Sequence, residues 1–351
     1  MLKKILILVL ALVISMTTAI NAFAAEEIAP IIEMSGKTIE MSANVWDGEL
    51  FLPLRAVTEE LGYDIQWFGD KKEIEVSKSE KNINLSLSDY RIAVNDHEGY
   101  MTGGYRLVND RTYLRQDFFS DNLGLKVVWD KVNKKVILQE VNENSFAISI
   151  KKENSETQTL KLTLQYPELK GLDNDDVQNK LNSLFASLAE EAKARGKEIE
   201  KYIGQDEITR HIKAEVYFDY QVKYNQSGLL SIVFMDYLYS GGAHGGTVQS
   251  SYTFDLKTGR EYEIKDLFKD GSDYISVINS EVKKQMQERD MTVLLAPFDS
   301  IKADQYYYLS NNAVVVYFQQ YEYLPYAYGI PEFAVDFSLL KDMEVLYEQQ
   351  R

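Results

Sequence analysis

Apolar and polar positions alternate along much of this chain, and the period switches between 2 and 3.6 residues at identifiable points. A period of 2 marks a strand with one buried face, and a period of 3.6 marks a helix with a buried stripe. Residues 31–141 hold an internal repeat. Its first copy runs Leu50-Phe51-Leu52-Pro53-Leu54-Arg55, then Leu61-Gly62-Tyr63-Asp64-Ile65-Gln66-Trp67, then Ile74-Glu75-Val76. Its second runs Thr112-Tyr113-Leu114-Arg115, then Leu123-Gly124-Leu125-Lys126-Val127-Val128-Trp129, then Val136-Ile137-Leu138. One offset of 62 residues relates Leu52 to Leu114, Gly62 to Gly124 and Trp67 to Trp129. Each copy reads as strand, short helix, strand, strand, with helices over Leu54–Leu61 and Gln116–Leu123. Gly62 and Gly124 fall where a left-handed residue ends a helix. The two tryptophans are read as core anchors, because such rings bury large areas.

After a polar linker, Val141–Ser145, the pattern changes. Phe146, Ile148 and Ile150 alternate, as do Leu160, Leu162 and Leu164, which predicts an antiparallel hairpin. Asp173-Asn174-Asp175-Asp176 precedes Val177, Leu181, Leu184, Phe185, Leu188 and Ala192, a helix buried on one face. The acidic cluster suits a helix N-terminus and lacks the glycine and closing glutamate of a calcium loop. Ile212–Val222 alternates cleanly, Leu229–Leu238 is apolar on both faces and reads as central, and Thr247–Leu256 leaves the loop that follows it. A second amphipathic helix is expected over Asp273–Glu288, with Ser272 as its N-cap. The last strands are expected at 305–309, 313–318 and 332–337. The fold class is therefore α+β: an N-terminal duplicated strand-helix-strand-strand domain and a C-terminal antiparallel sheet packed with two helices.

Two stretches stand apart from these periodicities. Tyr239-Ser240-Gly241-Gly242-Ala243-His244-Gly245-Gly246 concentrates four of the 19 glycines and one of the three histidines. Glycine permits positive φ and close backbone approach. Tyr321-Glu322-Tyr323-Leu324-Pro325-Tyr326-Ala327-Tyr328-Gly329 lies in a region that holds eight of the 24 tyrosines between Tyr306 and Tyr328. Tyrosine offers rigid contact area with one polar end. Either these loops form a binding surface or they complete a tyrosine-rich sheet.

The first residues add a compartment. Lys3-Lys4, an apolar run from Ile5 to Ile20, and Ala22-Phe23-Ala24 form a secretory signal peptide, 1–24, whose apolar run is shorter than a spanning helix. With the leader cleaved, the mature chain is expected outside the membrane, secreted or associated with the cell wall, with no span remaining; the alternative is an uncleaved anchor. There are no cysteines, which removes thiol chemistry and fits an exported Gram-positive protein. The net charge of −16 falls to −18 when Lys3 and Lys4 leave with the leader. A chain this acidic is not expected to bind nucleic acid, and it attracts cationic partners.

Catalytic chemistry finds little support. Ser240 and His244 are four residues apart with no carboxylate to orient them, and the nucleophile-elbow spacing is absent. Three scattered histidines give no zinc spacing, and no phosphate-binding glycine motif occurs. No catalytic residue, metal or cofactor is expected.

Phe51-Leu52-Pro53-Leu54-Arg55, Leu61-Gly62, Trp67 and the lysine-rich turn after it resemble the copper amine oxidase N-terminal-like, or stalk, domain of secreted clostridial proteins, over 31–141. The resemblance implies a non-catalytic extracellular module, a spacer or wall contact. It carries no copper site, since His97 is the one histidine there. Residues 144–340 resemble RsiV-like domains, the ectodomains of lysozyme-sensing anti-sigma factors. The carrying motifs are Tyr239–Gly245, Phe254-Asp255-Leu256-Lys257-Thr258-Gly259, Leu267-Phe268, Val316–Tyr321 and Pro325–Gly329. The same module, in its parts at about 144–240 and 250–340, resembles the N-terminal part of peptidoglycan deacetylase C and a domain of unknown function. With the leader removed and no deacetylase domain following, neither a sigma-factor role nor deacetylation is expected. What the resemblance implies is binding of a lysozyme-type muramidase, or another cationic protein, through Tyr239, Ser240, His244, Tyr323, Pro325, Tyr326 and Tyr328. The alternative is a wall-associated structural or spacer protein that binds no lysozyme.

Overall fold

The structure is a computed structural model that describes residues 29–341 apart from 102, 204 and 206–210. The leader expected at 1–24 lies outside the described residues.

The repeat is visible as a local two-fold. The strands Glu49–Pro53 and Arg111–Arg115 pair antiparallel with Leu52 directly opposite Leu114, the residue 62 positions on. Helix α1, Leu54–Glu60, and helix α2, Gln116–Leu123, follow these strands, and Gly62 (φ 77°) and Gly124 (φ 62°) turn the chain out of them. Leu52, Leu54, Val57, Ile74 and Val76 of the first copy pack into one core with Leu114, Phe119, Leu123, Val136 and Leu138 of the second. The two copies bury their apolar faces against each other, so neither is expected to be stable alone. The tryptophans depart from expectation. Trp129 is half-buried against the core, but Trp67 is 51% exposed on the edge strand Asp64–Phe68.

The C-terminal half is mixed α+β, built on a five-stranded sheet. Its order is Ala147–Glu156, Leu160–Lys170, Ala214–Gln226, Leu229–Tyr239, Gly246–Asp255. Leu229–Tyr239 is interior, as its two apolar faces require. Helix α3, Asp175–Glu200, lays Val177, Leu181, Phe185, Ala189 and Ala192 on this sheet. Its N-cap is Asn174, whose side chain accepts from the backbone N–H of Asp176 and Val177, while Asp175 and Asp176 sit in the positively polarised first turn.

Two expectations are corrected here. The sheet is not wholly antiparallel: Leu160–Lys170 and Ala214–Gln226 run parallel, because the long helix α3 between them carries the chain back to the edge it left. The last strands form a second sheet of their own, Tyr307–Leu309, Ala313–Tyr317 and Glu332–Asp336. Helix α4, Tyr274–Glu288, packs Ile278, Val282 and Met286 into the core beside that sheet. Its cap position is Asp273 with no side-chain bond, and the Ser272 hydroxyl is buried without a partner instead of capping. A short helix α5, Phe337–Leu340, closes the described chain. The second sheet stacks on the first through Val233, Tyr308, Val315 and Tyr317.

A polar seam joins the halves. Lys223 Nζ donates to Asp121 Oδ2 of α2 at 2.6 Å, with both side chains almost fully covered. His97 Nε2 lies 2.6 Å from Asp219 Oδ1, and its ring stacks on Tyr220 at 4.5 Å. The Gln165 amide pairs with the backbone of Glu98, and Asn311 and Asn312 donate to the carbonyls of Leu125 and Val127. A cavity of about 550 Å³ lies along this seam. The polar linker Val141–Ser145 is tied down. Asn144 bonds to Asn225 and to the Leu229 carbonyl, and accepts from Gly228 N–H.

Candidate functional site

The glycine loop and the tyrosine loop, distant in sequence, meet at one end of the five-stranded sheet. The strand Gly246–Asp255 is an edge strand there. Its unpaired backbone is completed by side chains: Gln320 Oε1 accepts from Thr247 N–H at 2.8 Å, and the Gln319 amide both accepts from Gln249 N–H at 3.1 Å and donates to Gln249 O at 2.7 Å. The two glutamines imitate one further strand and thereby anchor the tyrosine loop beside the glycine loop.

His244 is the hub of the contact. Its ring stacks on Tyr326 with centroids 3.7 Å apart and planes 17° from parallel. Its Nδ1 lies 3.0 Å from the Gly245 carbonyl, which can only accept, so Nδ1 carries the proton. In the neutral ring Nε2 is then an acceptor, and the Tyr321 hydroxyl donates to it at 3.2 Å. Both imidazole nitrogens are thus engaged in holding the loops.

The glycines earn their places at two positions. Gly241 takes φ 110°, and a Cβ there would sit 2.4 Å from Ile212 Cδ1. A Cβ on Gly245 would sit 2.5 Å from the Tyr237 ring. The loop therefore closes against Tyr237 and Ile212 only because these residues have no side chains. Burial, with the Glu215 carboxylate nearby, raises the Tyr237 phenol above its ordinary range and keeps it protonated.

The expected site residues fall into three groups. Tyr326 is at the loop junction on His244, and Pro325 leads into the short 3-10 turn Tyr326–Tyr328. Tyr239 is half-buried with its hydroxyl donating to Gly242 O at 3.2 Å; Ser240 is exposed beside it, and Tyr328 is half-buried in the turn. Tyr323 is elsewhere: its ring packs edge-on against Phe318 at 4.8 Å and Phe298 at 5.6 Å, in the core beside the second sheet. It is an internal brace, because the buried Leu324 next to it draws the segment inward. Tyr321, which is 52% exposed, stands in the expected loop, and Gln319 and Gln320 in the expected motif, but sequence reasoning gave none of the three a contact role. It also passed over the exposed run Val293-Leu294-Leu295, which the bond from Leu295 N–H to Tyr323 O ties to the same loop. Among the described residues no group of three or more His, Asp or Glu is arranged to hold a metal ion.

Three known families line up along the chain. Residues 33–138 match the copper amine oxidase N-terminal domain, residues 153–247 the family described as deacetylase PdaC, and residues 265–338 a family of unknown function, DUF3298. Over 197 residues the chain is 26% identical to the peptidoglycan-N-acetylmuramic acid deacetylase PdaC of Bacillus subtilis (strain 168), covering 54% of this chain and 40% of that protein. Over 209 residues it is 25% identical to the anti-sigma-V factor RsiV of the same organism, covering 56% of this chain and 69% of that protein. The chain thus spans well under half of the deacetylase's length. Among solved structures it is similar to a DUF3298 family member from Bacteroides fragilis (17% identity, TM-score 0.46, covering 60% of this chain and 99% of that one). It is also similar to one from Pseudomonas aeruginosa PAO1 (16% identity, TM-score 0.44, covering 56% and 94%). The two Bacillus subtilis relatives fit a cell-envelope protein. The glycine loop closes the PdaC-matching region and the tyrosine loop lies inside the DUF3298-matching one, so the candidate site forms where the two regions meet.

Proposed function

We propose that this chain is a secreted or wall-associated binding protein of the cell envelope, without catalytic activity, that takes up a cationic extracellular protein of the lysozyme type through the joined loops. The observation that supports it most is the His244–Tyr326–Tyr321 cluster. It joins two loops that carry the RsiV-like motifs and leaves Tyr321, Ser240 and the 293–295 run open to a partner. A rigid aromatic cluster loses little conformational entropy on binding. The net charge of −16 favours encounter with a basic protein and makes the association rate fall as salt rises. The imidazole, engaged at both nitrogens, suits a structural role better than that of a general base.

The test is calorimetric titration with a basic lysozyme at low and high salt. Wild type should bind, and Tyr326→Ala, which removes the ring under His244, should lose about 2 kcal/mol, roughly 30-fold in Kd. No binding by wild type at low salt refutes the partner. Equal binding by wild type and variant refutes the site.

A further inference from the structure

The offset of 62 residues allows each copy of the repeat to be compared with the other, and they differ where it matters. In the second copy the surface of α2 and the strand Leu125–Asp130 is covered by the C-terminal half. Lys223 takes Asp121, Asn312 donates to the Val127 carbonyl, and Lys131, which bonds to Glu288 of α4, lies over the Trp129 ring at 4.7 Å. In the first copy the equivalents of Asp121, Val127, Trp129 and Lys131 are Glu59, Ile65, Trp67 and Gly69. Arg55 of α1 itself donates to the Ile65 carbonyl at 3.3 Å and to Glu59 at 3.1 Å. In the first copy Arg55 already occupies the Ile65 carbonyl, the equivalent of the one that Asn312 binds in the second. The tryptophan of the first copy has no cover, because Gly69 has no side chain to reach over the ring.

That bare ring borders a groove of about 720 Å³. Besides Trp67 the groove is lined by Arg55, Glu59 and Glu60 of α1, by Asp110 of the turn beyond and Arg111 of the strand it leads into, and by apolar side chains such as Ile39 and Leu107. It lies on the opposite edge of its sheet from the strand His97–Tyr100, which meets the seam, and so faces away from the C-terminal half. We propose that this groove binds an oligosaccharide of equatorially substituted hexopyranose units. Three features select that chemistry. A flat exposed indole matches the apolar C–H face of such a ring. Carboxylates and guanidinium groups side by side offer acceptors and donors to vicinal hydroxyls. The two signs of charge occur together along the groove, which suits a neutral polyhydroxylated ligand better than an ion. The groove's volume lies within the ordinary range of small-ligand sites.

The experiment titrates the full chain with the tetramer of N-acetylglucosamine and, separately, with cellotetraose, by calorimetry and tryptophan fluorescence. Binding in the range of about 1 mM is expected for a single aromatic platform, with a change in fluorescence as the sugar covers Trp67. Trp67→Ala should weaken it at least about tenfold, Trp67→Phe less, and Gly69→Lys should weaken it by placing over Trp67 the lysine that the second copy has over Trp129. Circular dichroism should show all three variants folded, since the substitutions lie on an exposed edge. Flat titrations of wild type with both sugars, or undiminished binding by folded Trp67→Ala and Gly69→Lys, overturn the assignment. So does Trp67-dependent self-association in sedimentation without sugar binding, which would make the groove a contact between copies.

Discussion

Replacing Lys223 with methionine tests the seam. Lys223 of the C-terminal half faces both Asp121 and Asp117, and its side chain is 6% exposed against 16% for Asp121. Arg115 holds Asp117 with a bidentate pair and lowers its pKa, although burial opposes this. Among the described residues Asp121 has no such partner in its own half, and burial pushes it up to about 6. Removing the cation strands a covered carboxylate, which costs about 3 kcal/mol or more when the group must stay charged. Asp121 can escape by taking up a proton. Below pH 5 the variant should therefore lose only about 1 kcal/mol, the value of an ordinary hydrogen bond. In the wild type a raised carboxylate pKa means the native state keeps a proton the unfolded chain has released. Its contribution is full below about pH 4 and is lost as pH rises through 6. In Lys223→Met that loss deepens and extends upward, so the gap between variant and wild type widens from pH 5 to pH 7.5. Guanidinium unfolding measures it with two probes: all three tryptophans lie in the N-terminal half and report that half, and circular dichroism reports both. A gap that is the same at both pH values, or below about 0.5 kcal/mol at pH 7.5, refutes this account of the seam. Asp121→Asn in the same background should recover part of the loss at pH 7.5, since it removes the stranded charge.

Gly196→Ala places a Cβ 2.7 Å from Val216 and 3.1 Å from Leu162, so overpacking of about 2 kcal/mol should exceed the roughly 1 kcal/mol gained in helix propensity, and thermal unfolding should fall. Asn174→Ala removes the cap of α3 and should cost about 1 kcal/mol in the same assay. Gly241→Ala should displace the glycine loop and weaken lysozyme binding at least about tenfold, while thermal stability changes by less than about 1 kcal/mol. Limited proteolysis at the 141–145 linker should be slow in wild type and accelerate in Asn144→Ala, because Asn144 holds the linker to the Asn225–Leu229 turn.

Much of the secondary structure was legible because it is local. The 62-residue offset, the apolar stripe from Val177 to Ala192 and the alternation from Ile212 to Val222 each state their own element. The exposure of Trp67 was hidden, because it depends on whether residue 69 or 131 supplies a cover, and the repeat pattern is blind to that difference. The parallel pair was hidden behind a helix whose length, not its apolar spacing, decides the return direction. At the candidate site, the residues of the two loops were readable from their glycines and tyrosines. Their junction was not, since it depends on Gln319 and Gln320 standing in for a strand, a role no single residue type announces. Tyr323 and Tyr326 look alike in sequence and differ because one ring turns toward Phe318 and the other toward His244.

The strand Ala214–Gln226 touches both ends of this story. Near one end Asp219 and Lys223 grip the N-terminal half; at the other Glu215 pairs with Tyr239, where the glycine loop begins. The eight residue steps from Glu215 to Lys223 span about 27 Å of extended chain. Paired along its length with the strand Leu229–Tyr239, that stretch is a ruler. Whatever settles on the loops is held at a set distance and a set angle from whatever the N-terminal half grasps, and lengthening the ruler by two residues would move one grip without loosening the other.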